Sequence, residues 1–409
     1  MRILFVTPYL PSLMRVRPFN FIKHLSTRHE LTLFSLTQGD QSEADAMREI
    51  APCCAGVYTL ELNKLKSFAS CCRKLLTPMP LQAAYTDMPL AKELVRQIAG
   101  SRPFDVLHVE HIRGAHLAEH VRHIPKVFDA VDCITRLLKL RLNHEKSVFH
   151  RAVSLQELLK MKSYEPKIAS LFERIVITSR RDKRALDALM RTYANGSGYK
   201  SSVAVVPNGV DCHYFQPSPN GKSSTIVFCG RMSYFANSSA AYRFYQEAFP
   251  YIKRACPDAR FKILGSDPPE SIRKLAEDPS VEVTGYVPDV RPHLASAAVA
   301  VCPLMVGVGI QNKVLEAMAM GKPVVATQVA CKGIPEIIDG EHFLRADDPI
   351  RTAGAVILLL GNPEYAHRLG ERARRLAEDR YSWGSAVRRL EDIYMETACI
   401  SRERILAAA

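Results

Sequence analysis

The sequence has no run of about 18 or more consecutive apolar residues, so no membrane-crossing helix is predicted. Tryptophan occurs once, and no Cys-x-x-Cys pair with matching histidines occurs, although there are 11 cysteines. Cys53-Cys54 and Cys71-Cys72 are adjacent pairs, and the total is odd. That usage excludes a disulfide framework and a zinc site, and it fits reduced thiols in a cytoplasmic protein. Acidic residues are the scarcer charge, with 42 Asp and Glu against 55 Lys and Arg, a formal net charge of +13. Such a field attracts anions: nucleic acid, anionic lipid or a small phosphate-bearing ligand. No nucleic-acid-binding signature is present, so an anionic membrane surface ranks above nucleic acid as a partner.

At 409 residues the chain is too long for one core, and two domains are expected. The opening Met1–Thr7 is too short for a signal peptide, meets Pro8 at once and reads as a first buried strand. Strand and helix patterns then alternate, which predicts a doubly wound parallel sheet. Phe104–Val109 and Lys126–Val131 are apolar runs that end in Glu110 and His111, and in Asp129 and Asp132. Ligands of parallel sheets bind at the carboxyl ends of strands, which makes these ends of interest. Lys64–Leu76 carries Leu65, Phe68, Ala69, Cys72, Leu75 and Leu76 at helical spacing, among Lys64, Lys66, Arg73 and Lys74. A basic amphipathic helix suits an anionic membrane surface, though a helix packed on the sheet has the same pattern. Ile134–Arg151 is similar, with Arg136, Lys139, Arg141, Lys146 and Arg151 among leucines. Pro217–Ser224 reads as an interdomain linker.

Residues 297–327 organise the second half. Ala298–Leu304 reads as a buried strand, a loop with Gly307 and Gly309 follows, and Asn312–Met320 reads as a helix. Gly321 is placed as its C-cap, and Pro323–Thr327 is the next strand. The loop opens onto a helix N-terminus, where backbone amides and the helix dipole favour an anion. Lys313 and Glu316 lie three residues apart on that helix. They can bind a diphosphate and a sugar diol; they can equally be a solvated lysine and an exposed glutamate.

The stretch Lys313–Thr327 resembles the Glu-Ala-Met-Ala-x-Gly-x-Pro-Val-Val pattern of the retaining, GT-B-fold glycosyltransferases of family 4. Pro207-Asn208-Gly209-Val210-Asp211, with Phe215 and Pro217, resembles the end of that family's N-terminal domain. The variant Gly-Ile-Gln-Asn-Lys at 309–313 resembles a bacterial subgroup associated with exopolysaccharide synthesis. The resemblance implies two Rossmann-like domains facing a cleft: 1–215 for the acceptor, 216–380 for the nucleotide sugar, and 381–409 a helix crossing back. It implies transfer of a sugar from a nucleotide-diphosphate sugar to a hydroxyl of a glycan or lipid-linked acceptor. It further implies that configuration is retained and that neither a metal nor a cofactor is needed. Glu316 would bind the ribose. Gly230, Arg231, Gly307, Gly309, Asn312 and Lys313 would bind the diphosphate, and Asp129 would sit near the reacting sugar. Asp132 is the second candidate there; His108 and His111 are weaker ones, and Arg15 and Arg17 could reach an anionic acceptor. The chain departs from the family pattern twice. Val308 replaces a glutamate near the donor sugar, and Asn237 stands in a segment without the usual diphosphate-binding lysine, whose charge Lys313 would supply. Two other readings stay open: a non-catalytic nucleotide-sugar-binding subunit, and a sugar-nucleotide epimerase of the same fold.

Overall fold

Apolar runs separated by turns become parallel strands when both faces are covered by helices. The computed structural model describes residues 1–144, 148–193, 201–218, 223–307 and 310–408. They form two compact units, Met1–Pro207 with Ala386–Ala409, and Asn208–Ser385.

The first unit holds a seven-stranded sheet: β1 (Arg2–Thr7), β2 (Glu30–Thr37), β3 (Gly56–Glu61), β4 (Val106–Glu110), β5 (Lys126–Val131), β6 (Arg174–Ile177) and β7 (Ser202–Val205). All pairings are parallel, in the order β3-β2-β1-β4-β5-β6-β7. The second unit holds β8 (Thr225–Cys229), β9 (Arg260–Leu264), β10 (Val281–Val283), β11 (Val299–Cys302), β12 (Val324–Ala326) and β13 (Leu344–Arg345). These are also parallel, in the order β10-β9-β8-β11-β12-β13. Each order reverses direction at its first strand, between β1 and β4 and between β8 and β11. Such switch points leave a crevice at the carboxyl ends of the strands. Both sheets are doubly wound and Rossmann-like.

The unit boundaries fall at Pro207 and Ser385, where the sequence pattern suggested 215 and 380. Asn208–Phe215 belongs to the second unit because Val210 N–H donates to the Tyr381 carbonyl at 2.7 Å. Gly209 also packs on Trp383, whose backbone nitrogen would lie 2.6 Å from an added Cβ. The last helix runs Trp383–Ala408, within the 381–409 segment that the resemblance implies as helix. From Ala386 on it packs with the first unit. Glu391 meets Arg28 and His29 at 2.8 Å each, and the fully buried Tyr394 hydroxyl lies 2.8 Å from His108 Nδ1.

The Lys64–Lys74 helix is set differently from an ordinary packed amphipathic helix. Its buried residues are Ser67 and Ser70, while Leu65 and Phe68 face solvent. Small polar side chains let it lie close to its neighbours, and the apolar stripe found in the sequence is left outside. Lys146 of the second basic segment lies outside the described residues.

Tyr394→Phe leaves His108 Nδ1 without its partner in a fully buried site. The first unit is expected to lose about 1–3 kcal/mol, read as an earlier urea-unfolding midpoint.

Candidate active site

In the second unit, glycines allow the ends of β8, β9 and β10 to converge. Gly230 N–H donates to the Leu264 carbonyl at 2.9 Å, Met232 N–H to that of Ser266 at 2.9 Å, and Gly265 N–H to that of Gly285 at 3.2 Å. Gly265 has φ +146°, and a Cβ there would lie 1.8 Å from the Gly230 carbonyl oxygen. No side chain fits without moving backbone. The Gly230-Arg231 turn is thereby held at the switch point. The exposed Arg231 guanidinium has its Nε 3.0 Å from Ser233 Oγ and 3.3 Å from Asp267 Oδ2.

The Asn312–Ala319 helix approaches the same point from β11. Its buried Val314, Leu315, Ala317, Met318 and Ala319 fix it against the core. Lys313 and Glu316 then occupy the remaining face and are half-buried. Asn312 Oδ1 accepts from Asn208 Nδ2 at 3.3 Å. The Lys313 ammonium donates to Asn237 Oδ1 and lies 4.8 Å from the centre of the Phe228 ring. Asn237 Nδ2 in turn donates to the Arg231 carbonyl at 2.8 Å. A Cβ on Gly230 would come within 2.8 Å of Lys313 Nζ and 2.7 Å of Asn237 Nδ2. Asn237 is therefore the clamp that brings Lys313 onto the Gly230-Arg231 turn. Gly307 lies beside Gln311, with Gln311 Nε2 3.2 Å from where its Cβ would be. Gly309 and Val308 lie outside the described residues.

Electrostatics couple the two helix side chains. Burial lowers the Lys313 ammonium pKa, partly opposed by Cys302, Cys229 and Glu316. Burial raises the Glu316 carboxyl to about 7, opposed by the Lys313 charge. Among the described residues the Glu316 carboxyl has no hydrogen-bond partner. The arrangement sets an unbonded carboxyl acceptor beside a lysine ammonium, a glycine turn and an arginine, a combination of acceptor and positive charge that suits an anion carrying hydroxyls.

The first unit departs from expectation at Asp129 and Arg17. Asp129 is 0% exposed, and its Oδ2 accepts from Arg17 Nε at 2.7 Å while Oδ1 accepts from Val131 N–H at 3.1 Å. Arg17 is itself buried, so neither reaches a substrate here. The pair neutralises a charge that the sheet would otherwise exclude. Arg15 is exposed, with its guanidinium 4.3 Å from the Tyr9 ring centre. His108 is fully buried, stacked on Phe5, and burial holds it neutral. His111, with φ +63°, is also held neutral by burial, its pKa lowered to about 3. Asp132 is half-buried, its carboxyl raised to about 6 by burial and by Asp182.

The sequence marks Glu110 only as a strand-end residue of interest and gives it no role. It ends β4 beside Asp129, accepts from the Tyr9 hydroxyl at 3.0 Å, and is raised to about 8 by burial and then by the Asp129 charge. A carboxyl following an apolar run at a strand's carboxyl end is its only sequence signal. Among the described residues no group of three or more His, Cys, Asp or Glu side chains is arranged to hold a metal ion.

Residues 223–362, most of the second unit, match the sequence profile of the glycosyl transferases group 1 family. Among curated proteins, alpha-maltose-1-phosphate synthase of Mycolicibacterium smegmatis is 27% identical over 243 residues, covering 52% of this chain and 61% of that one. Phosphatidyl-myo-inositol mannosyltransferase of Mycobacterium leprae is 27% identical over 223 residues, covering 51% and 57%. The chain thus spans about three fifths of the length of these relatives. Among solved structures, Anabaena HepE in complex with UDP and glucose superposes with a TM-score of 0.68, covering 97% of this chain and 100% of that one at 13% identity. The fold is of the GT-B class.

Gly265→Ala forces the Gly230 carbonyl aside and with it Arg231 and Lys313. The purified variant is expected to lose about 1–3 kcal/mol of stability, read as an earlier urea-unfolding midpoint.

Proposed function

We propose that this protein is a glycosyltransferase that moves a sugar from a nucleotide-diphosphate sugar to a hydroxyl of a glycan or lipid-linked acceptor. The observation that carries this reading is the convergence of Lys313, Arg231 and the Gly230 turn beside Glu316 at the β8/β11 switch point. The Glu316 carboxylate accepts the ribose diol. Lys313 and Arg231 face the diphosphate, whose charge grows as the glycosidic bond breaks. Fixed cations placed where charge develops stabilise the transition state more than the ground state. A half-buried Lys313 meets that charge with little water to displace, and the incoming phosphate favours its protonated form.

UDP is the first donor base to test, because HepE was solved with it. The first unit takes the acceptor in this reading, and a mannosyltransferase named for phosphatidyl-myo-inositol among the relatives supports a lipid-linked one. The family pattern supports retention of configuration, reaction without an essential metal or cofactor, and a place in exopolysaccharide or cell-envelope polysaccharide synthesis.

The reading is tested by thermal shift against UDP, GDP, ADP and dTDP, followed by transfer assays. One nucleotide is expected to stabilise the protein. Lys313→Ala and Arg231→Ala are each expected to lower transfer by about 100- to 1000-fold with the fold intact. No shift with any nucleotide would instead leave a fold without donor binding.

Glu316 gives a pH signature. Its folded pKa of about 7 exceeds the ordinary glutamate value, so the free protein loses stability as pH rises from about 4.5 toward 7. Nucleotide binding needs the carboxylate, so affinity is expected to rise as pH goes from about 6 to about 8. Calorimetry should show that rise in the wild type and a flat, weaker profile in Glu316→Gln.

A further inference from the structure

The Lys64–Lys74 helix presents an apolar face that no part of the described chain covers. Leu65 is 82% exposed, Phe68 69% and Leu76 96%, whereas Ser67 is 3% exposed on the inner face. The Val148–Ala169 helix adjoins the end of this segment. There Gln156 Nε2 and Lys160 Nζ donate to the Leu75 carbonyl at 3.0 and 2.7 Å. Leu155 and Leu159, one position before each of these, are exposed beside them. Large apolar side chains turned outward while serines turn inward are costly in water unless something covers them.

Charge identifies the cover. Between residues 62 and 86 there is no Asp or Glu, while Lys64, Lys66, Arg73 and Lys74 all occur there. Lys74 is held by Asp87 at 2.9 Å, but Lys64, Lys66 and Arg73 are exposed around the apolar residues. Leucine and phenylalanine projecting between cations match the boundary of an anionic bilayer, with apolar tips among acyl chains and ammonium groups among headgroup phosphates. No helix among the described residues is long and apolar enough to cross a membrane, so the attachment would be peripheral. We propose that the face formed by Leu65, Phe68 and Leu76, ringed by Lys64, Lys66 and Arg73, docks the protein onto an anionic lipid surface. This goes beyond the donor reading and does not depend on it.

The test is flotation of the full-length protein with vesicles of phosphatidylcholine alone or mixed with phosphatidylglycerol. Binding to the mixed vesicles only, weakening with salt, is expected. Leu65→Ser/Phe68→Ser/Leu76→Ser is expected to abolish it, and Lys64→Glu/Lys66→Glu to weaken it at least roughly fivefold per lost cation. UDP thermal shifts on the same preparations should be unchanged by both variants. Absence of a shift with any of UDP, GDP, ADP or dTDP in the wild type, with flotation intact, would defeat the donor reading and leave this one standing. The docking proposal is overturned by no flotation at low salt, by equal binding to neutral vesicles, or by variants that float like wild type. It is also overturned if sedimentation velocity shows a dimer that the triple serine variant dissolves, since a second copy would then cover the face.

Discussion

Gly265 lies so close to the Gly230 carbonyl that a side-chain carbon would sit 1.8 Å from its oxygen. Everything in the candidate donor site depends on that approach. It brings the ends of β8 and β9 together and sets the Gly230-Arg231 turn at the sheet's switch point. It leaves room for Lys313 Nζ where a side chain on Gly230 would otherwise lie. The Asn237 amide then bridges the Lys313 ammonium and the Arg231 carbonyl, so two cationic residues on separate elements are tied to one turn. Backbone proximity is a firm way to place charge, because loops that merely face each other do not hold groups to within an ångström.

The first unit deals with charge in another way. Arg17, His108, Asp129 and Tyr394 are buried together: the ion pair is desolvated, the histidine is kept neutral, and the tyrosine comes from the last helix. Replacing one member would leave its partner charged or unpaired in a dry interior. Glu110, one strand away from Asp129, is raised to about 8 first by burial and then by the Asp129 charge. The strand ends that attract attention in sequence thus hold an ion-paired carboxylate at Asp129 and a carboxyl with a raised pKa at Glu110.

The outward face of the Lys64–Lys74 helix shows how far a helical pattern can be read. Periodicity finds a stripe but does not say which way it points. The serines at 67 and 70 supply the tight packing face, and the apolar residues turn outward by default. Had the inner face been leucine and the outer face serine, the pattern along the chain would have had the same period.

The sequence by itself determined the strands and their order of alternation with helices, because parallel strands buried on both sides must be short apolar runs ended by turns. It also placed Lys313 and Glu316 on one helix behind a glycine loop, while reading them with Arg231 as a diphosphate and ribose site came from the family resemblance and not from the pattern itself. What only the tertiary structure decided were the contacts between residues far apart in the chain. Arg17 closes over Asp129 from 112 positions away, and Asn237 holds Lys313 from 76 positions away. The last helix returns to His108 from 286 positions away. Whether a strand-end carboxylate faces a substrate or an arginine depends on which side chains the packed sheet brings beside it, and local pattern carries no record of them.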